Sequence, residues 1–231
     1  MLVVVASRHD KAAEALVARW AVHGASLLTC EDLSVAGWRH YLSSPQDSTA
    51  VIGGQAMALE KITGVFTRLP CIFERELLHI VPDDRAYVAA EMNAFLISWL
   101  SQLPCPVLNR PTPTYLLGPA WRAEQWIYAA AQIGIPVRPR QRQVILSPNI
   151  VPQVLPKPSA TVTVVGNRCL GAVDKTLAHY ARNLADAAKV DLLTVHFSGD
   201  EFLGADLSTD TSTPEVADAI FEYLSGGNAR C

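Results

Sequence analysis

The sequence predicts an α/β protein in two units. Residues 1–137 are expected to form an open, largely parallel sheet with helices on both faces. Residues 138–231 are expected to form a smaller α+β unit. Three observations carry this. Leu2 to Ala6 is a continuous apolar run without alternation, the pattern of a strand covered on both sides. Extended runs and helical stripes then follow in the order β-α-β, hairpin, β-α-β, which suits a parallel sheet with crossover helices. Further on, Thr161 to Val165 is rich in β-branched residues and turns at Gly166-Asn167, with Cys169 to Val173 placed to pair back.

Each element has a local reason. Asp10 can cap a helix whose apolar positions Ala13, Leu16, Val17 and Trp20 recur at helical spacing and which ends at His23-Gly24. Ser26 to Thr29 is a second strand. Thr49 to Ile52 and Gln55 to Leu59 flank Gly53-Gly54, a two-residue hairpin signal. Gly64 to Leu69 is the next strand, stopped by Pro70. Asp83 or Asp84 can cap a long helix with Val88, Met92, Phe95 and Trp99 on one stripe. Pro106 to Leu108 is a short strand ending in an Asn109-Arg110-Pro111 turn. The helix after it carries Pro119 near its first turn, Trp126, Ala129, Ala130 and Ile133 on its stripe, and Gly134 past its end.

In the second unit, Gln143 to Leu146 and Gln153 to Leu155 read as short extended pieces. Leu177, Ala181, Leu184 and Ala188 form a helical stripe. Asp191 to Phe197 is a strand and Phe202 to Leu207 its partner. Thr213-Pro214-Glu215 opens a last helix through Val216, Ile220 and Leu224.

Composition excludes several classes. A formal charge of −3 argues against a general nucleic-acid binder. Charge is uneven, however. Between Gln125 and Val173 there is no Asp or Glu, whereas ten acids face four bases from Asp174 onward. Two such patches suit phosphates on one wall and a metal on another, or are ordinary surface. The five cysteines show no CxxC pair and no histidine at ligand spacing, which argues against zinc. Their odd number and the absence of a signal peptide point to reduced thiols and a cytoplasmic location. The Met1 to Ala6 run is too short for a membrane span.

The junction Pro106-Val107-Leu108-Asn109, helix, Gly134-Ile135-Pro136-Val137 resembles the point where the N-terminal domain of ATP-grasp ligases meets their nucleotide-binding domain. Val154-Leu155-Pro156-Lys157-Pro158 resembles the family's Lys-Pro strand. Thr161 to Asn167 resembles its "v.VvG" strand, and Val190-Asp191-Leu192 its "vDl" strand. The chain as a whole resembles a reduced ATP-grasp protein of the peptide-maturase-like branch. Only three residues separate Pro158 from Val162. The family's glycine-rich phosphate loop and adenine hinge would lie between those landmarks. Phe202 to Leu207 stands where the metal-binding Glu-x-Asn is expected, and Asp206 is its approximate substitute.

The candidate nucleotide- or ligand-binding set is Lys157, Arg138, Arg140, Arg142, Arg68, Asn109 and Arg110, with Asp206 and Asp191 for a metal. The residues themselves leave each open. Arg138, Arg140 and Arg142 alternate and share one face of an extended segment, serving either an anion or a charged edge. Lys157 is either a phosphate contact or a solvated turn lysine. Asn109, Arg110 and Arg68 end strands, where open α/β sheets bind ligands, and equally suit loop structure. Trp126 sits on the apolar stripe and reads as core. No catalytic residue is assigned. The expected function is an accessory or recognition subunit linked to peptide or amino-acid modification. The alternatives are an active carboxylate-amine ligase using ATP and Mg²⁺, its nucleotide site altered or completed by a partner, and a small-ligand-binding α/β protein. Removal of a lobe is expected to uncover an apolar sheet face on Thr161 to Val165 and Asp191 to Phe197. That face calls for a homodimer, or for a partner ligase or peptide.

Overall fold

A computed structural model describes residues 1–44, 47–138, 157–171 and 174–226. The extended pieces expected at 143–146 and 153–155, and Arg140 and Arg142, lie outside the described residues. The first sheet comprises β1 (Leu2–Val5), β2 (Ser26–Leu28), β5 (Gly64–Thr67) and β6 (Val107–Leu108), in the order β2-β1-β5-β6. All three pairings are parallel, and β1 is central as its uniform apolarity predicts. Between β2 and β5, β3 (Thr49–Ile52) and β4 (Gln55–Ala58) form the expected hairpin. Ile52 pairs with Gln55 across Gly53 and Gly54, whose φ values of 59° and 75° meet the demand of a tight turn.

Both faces of this sheet are covered. On one, Val3, Val5, Val65 and Val107 pack against Leu96, Trp99 and Leu100 of α2 (Arg85–Gln102). On the other, Leu2, Val4, Phe66 and Leu108 meet α1 (Lys11–Arg19) and the last helix, α5 (Pro214–Leu224). Asp10 caps α1 by accepting from the Ala12 and Ala13 amides. At α2, Asp84 makes no side-chain cap bond, because Pro82–Asp84 form a 3₁₀ turn that leads directly into the helix.

The second sheet is antiparallel, in the order β10-β9-β7-β8. It contains β7 (Ala160–Val165), β8 (Arg168–Leu170), β9 (Leu192–Ser198) and β10 (Glu201–Asp206). Val162, Val164, Leu193, Val195 and Phe197 pack beneath α3 (Ala123–Gln132) and α4 (Lys175–Ala188). On the opposite face, Val165 and Leu192 are covered by α5. The apolar positions of β7 and β9 are therefore buried by the chain's own helices. This corrects the expectation of an uncovered apolar face, and with it the argument for a homodimer. Past the reach of α5, the same face continues as Thr161, Thr163, Thr194 and His196.

The start of α3 also differs from expectation. Pro119 precedes the helix, Trp121 donates its amide to the Pro119 carbonyl in a tight turn, and Arg122 is the N-cap. The Gln125 carboxamide closes the cap by accepting from the Arg122 amide at 2.8 Å. Two devices join the sheets. Asn109 bonds the backbone of β9, and α5 lies so close to β5 that a Cβ on Gly64 would stand 2.6 Å from the Leu224 carbonyl. Arg19 on α1 pairs with Asp218 on α5 at 2.8 Å. No helix among the described residues is long and apolar enough to cross a membrane.

Candidate functional site

The C-terminal edge of the parallel sheet faces the polar part of the antiparallel one. Arg68 leaves the end of β5 and pairs with Asp10, beyond the end of β1, at 2.7 Å. It also donates to the Thr211 hydroxyl at 3.2 Å and the Thr209 carbonyl at 3.3 Å. Burial would raise the Asp10 carboxyl. The hydrogen bonds from Arg68 and from the Ala13 and Ala12 amides, with the guanidinium charge, outweigh it and hold the carboxyl below its ordinary value.

Beside this pair opens a cleft of about 380 Å³ lined by Ser7, His9, Asp10, Arg75 and Glu76. The Ser7 hydroxyl donates to Glu76 at 2.7 Å, and the Glu76 side chain is only 9% exposed. Cys30 lies buried nearby. Desolvation, then the Glu76 and Glu31 charges, push its thiol up to about 12, so it is not a nucleophile at neutral pH. The Thr67 hydroxyl, buried at the end of β5, has no hydrogen-bond partner among the described residues. This placement follows from topology, since loops leaving the carboxyl ends of parallel strands converge on one edge.

On the second face of the second sheet, past α5, hydroxyls and an imidazole form a ladder whose threonines Thr163, Thr194 and Thr209 are buried. Thr163 meets Thr194 at 3.3 Å, and Thr194 meets Thr209 at 3.2 Å. His196 lies 3.1 Å from the Thr161 hydroxyl through Nδ1 and 3.0 Å from Asp206 through Nε2. The buried hydroxyls satisfy one another away from water, and the part of the ladder open to solvent is its rim at Thr161, His196 and Asp206.

The residues singled out from sequence separate into groups. Arg68 lines the junction of the two sheets. Asn109 is 3% exposed and fully engaged. Its oxygen accepts from the Asp191 and Leu192 amides, and its nitrogen donates to the Leu117 and Leu192 carbonyls. Arg110 donates to the carbonyls of Leu100, Ser101, Leu103 and Cys105, closing the end of α2. Asn109 is turned into the protein, whereas Arg110 lies exposed over the end of α2. Arg138 pairs with Glu201 at the start of β10. Lys157 is exposed before β7.

Asp206 and Asp191 are not brought together. Asp206 is opposite Thr194, three residues from Asp191, a separation of about 10 Å along the strand. Asp191 accepts from the Tyr223 hydroxyl at 2.9 Å. Magnesium holds its ligands at about 2.1 Å, so the two carboxylates do not fit one ion.

Ser7, Glu76, Thr209, Thr211 and His196 carry no signal in the linear sequence. Their positions become informative only once β1 is set beside β5 and β9 beside β7 and β10.

No family model matches the chain, and no curated protein matches its sequence. Solved structures match its fold. The macrocyclase MdnC of Microcystis aeruginosa MRC, bound with precursor peptide MdnA, has a TM-score of 0.68 at 12% identity over 97% of this chain and 99% of that one. A RiPP-associated ATP-grasp ligase of Chryseobacterium gregarium, in complex with ADP and a leader and core peptide, has a TM-score of 0.64 at 11% identity over 99% and 97%. The ATP-grasp ligase PsnB, complexed with minimal precursor, Mg and ADP, has a TM-score of 0.62 at 12% identity over 96% and 98%. The fold of this chain is that of the ATP-grasp ligases.

Proposed function

We propose that this protein is a reduced ATP-grasp that recognises a peptide for modification and does not ligate on its own. The observation that carries the reading is the short passage from Lys157-Pro158 to β7. The strand begins at Ala160, so no segment between them can cover phosphates or clamp an adenine. Phosphoryl transfer depends on positioning and charge stabilisation of that kind. Asp191 and Asp206, the candidate metal ligands, are too far apart to replace it.

The peptide side of the reading is supported by the fold relatives, which were solved with precursor peptides bound. A peptide, rather than a second copy of the chain, is the proposed partner. A small-ligand role has one observation in its favour, the cleft at Ser7, Asp10 and Glu76.

The test is a pair of calorimetric titrations on the full chain. One uses Mg-ATP, and the other uses a peptide selected from an array of short sequences. The reading expects heat from the peptide and none from millimolar Mg-ATP. Saturable Mg-ATP binding with no peptide binding would overturn it.

A further inference from the structure

A second cavity of about 240 Å³ lies at the C-terminal end of β10, away from the Arg68 cleft. Tyr115, Trp121, Trp126, Pro119 and Leu207 line it with apolar surface, and Asp206 supplies its carboxylate. Trp121 and Trp126 meet nearly edge to face, 4.7 Å between centroids. Trp126 is locked in the core of α3, while Trp121 is half-buried and held at the mouth by the Pro119 turn. At roughly 30 Å³ per water, the cavity displaces about eight waters, room for one long side chain.

We infer that this slot takes the cationic side chain of a bound peptide, a lysine or arginine. Its aliphatic stem lies along Trp121 and Leu207, and its head group lies between the aromatic faces and Asp206. The inference rests on the peptide-recognition reading and adds the chemistry of one subsite.

Five considerations support it. Aromatic faces carry negative quadrupole and attract a cation within about 6 Å, best when an indole is present. Asp206 meets His196 through one carboxylate oxygen, and its side chain is 63% exposed, so one edge remains accessible. The Tyr115 hydroxyl is shifted up by burial first and then by the charges of Cys71 and Asp206, which places the Asp206 charge within reach of the slot. The same strand already holds an arginine at its other end, where Arg138 pairs with Glu201. The ten-to-four excess of acids from Asp174 onward steers cations towards this half of the molecule.

The experiment uses full-length protein labelled at its tryptophan indole nitrogens, observed by NMR. It is titrated with N-acetyl-arginine amide, N-acetyl-lysine amide, the uncharged N-acetyl-norleucine amide, and spermidine as a free polyamine. The blocked cationic residues are expected to shift the Trp121 and Trp126 signals saturably, and norleucine amide is not. Asp206→Asn weakens this binding about tenfold, as does Trp121→Ala. The indole signals of Trp20, Trp38 and Trp99, in the other core clusters, should stay in place in both variants, which checks the fold. Equal shifts with norleucine amide would overturn the inference. So would a response to spermidine alone, or binding unchanged in Asp206→Asn. A chain that binds its peptide by calorimetry but shows none of these shifts refutes the slot and leaves the peptide reading standing. Shifts without peptide binding refute the peptide reading alone.

Discussion

Both sheets have four strands, yet their faces are finished differently. The parallel sheet is apolar on both sides because α2 covers one face and α1 with α5 the other. The antiparallel sheet is apolar throughout beneath α3 and α4, but only partly so on its second face. Where α5 reaches, that face carries Val165 and Leu192. Where it stops, threonines and His196 take over. Side-chain chemistry changes along single strands at the edge of a helix's shadow. Thr163 and Thr194 are still buried there, so their hydroxyls bond one another, and only Thr161 and His196 beyond them are more open to solvent.

The bolt between the two regions should give the largest effect. Asn109→Leu removes four buried bonds and leaves the Asp191 and Leu192 amides without their partner. The expected loss is about 3–5 kcal/mol in urea unfolding. A loss under about 1 kcal/mol would mean that the sheets are not joined there. Gly64→Ala comes next. Its methyl group would meet the Leu224 carbonyl and Cβ, and overpacking of this kind costs about 1–3 kcal/mol. Loss of near-ultraviolet dichroism from the α5 region should accompany it.

Asp10→Asn keeps a helix cap but removes the charge paired with Arg68. The folded carboxyl sits below its unfolded value. Its contribution is therefore present above about pH 4, the unfolded range, and lost as pH falls through the folded value. Melting temperatures of wild type and variant should differ at pH 7 and converge in acid. A gap that widens on acidification would reverse the sign. The smallest effect belongs to the far face of the second sheet. Thr163→Val removes one hydroxyl from a buried contact and leaves Thr194 its contact with Thr209. The expected loss is about 0.5–1.5 kcal/mol in urea unfolding. A loss above about 3 kcal/mol would show that the Thr209 contact does not keep Thr194 satisfied.

Much of the fold was legible because its signals are local. The apolar run at Leu2, the Gly53-Gly54 turn, and the stripes of α2 and α4 each specify an element without help from the rest of the chain. The covering of β7 and β9 was not legible, since α5 lies about fifty residues from β7 and its apolar stripe does not name the surface it meets. The same limit affected the site. Arg68 ends a strand in the sequence, and its pairing with Asp10 and the Thr211 hydroxyl becomes visible only in the folded chain. Asn109 and Arg110 share that strand-end signal, but their polar atoms satisfy backbone groups that only the folded chain presents. His196 had no partner in sequence. It gains Thr161 and Asp206 through strand pairing, which links residues 35 and 10 positions apart.

The central claim, recognition without ligation, is tested most directly by phosphate release. Purified protein is incubated with Mg-ATP and the peptide that it binds, beside a Lys157→Ala variant. The account expects no release above the protein-free blank from either chain. Steady, peptide-dependent release that disappears in Lys157→Ala would contradict it and make this protein a working ligase.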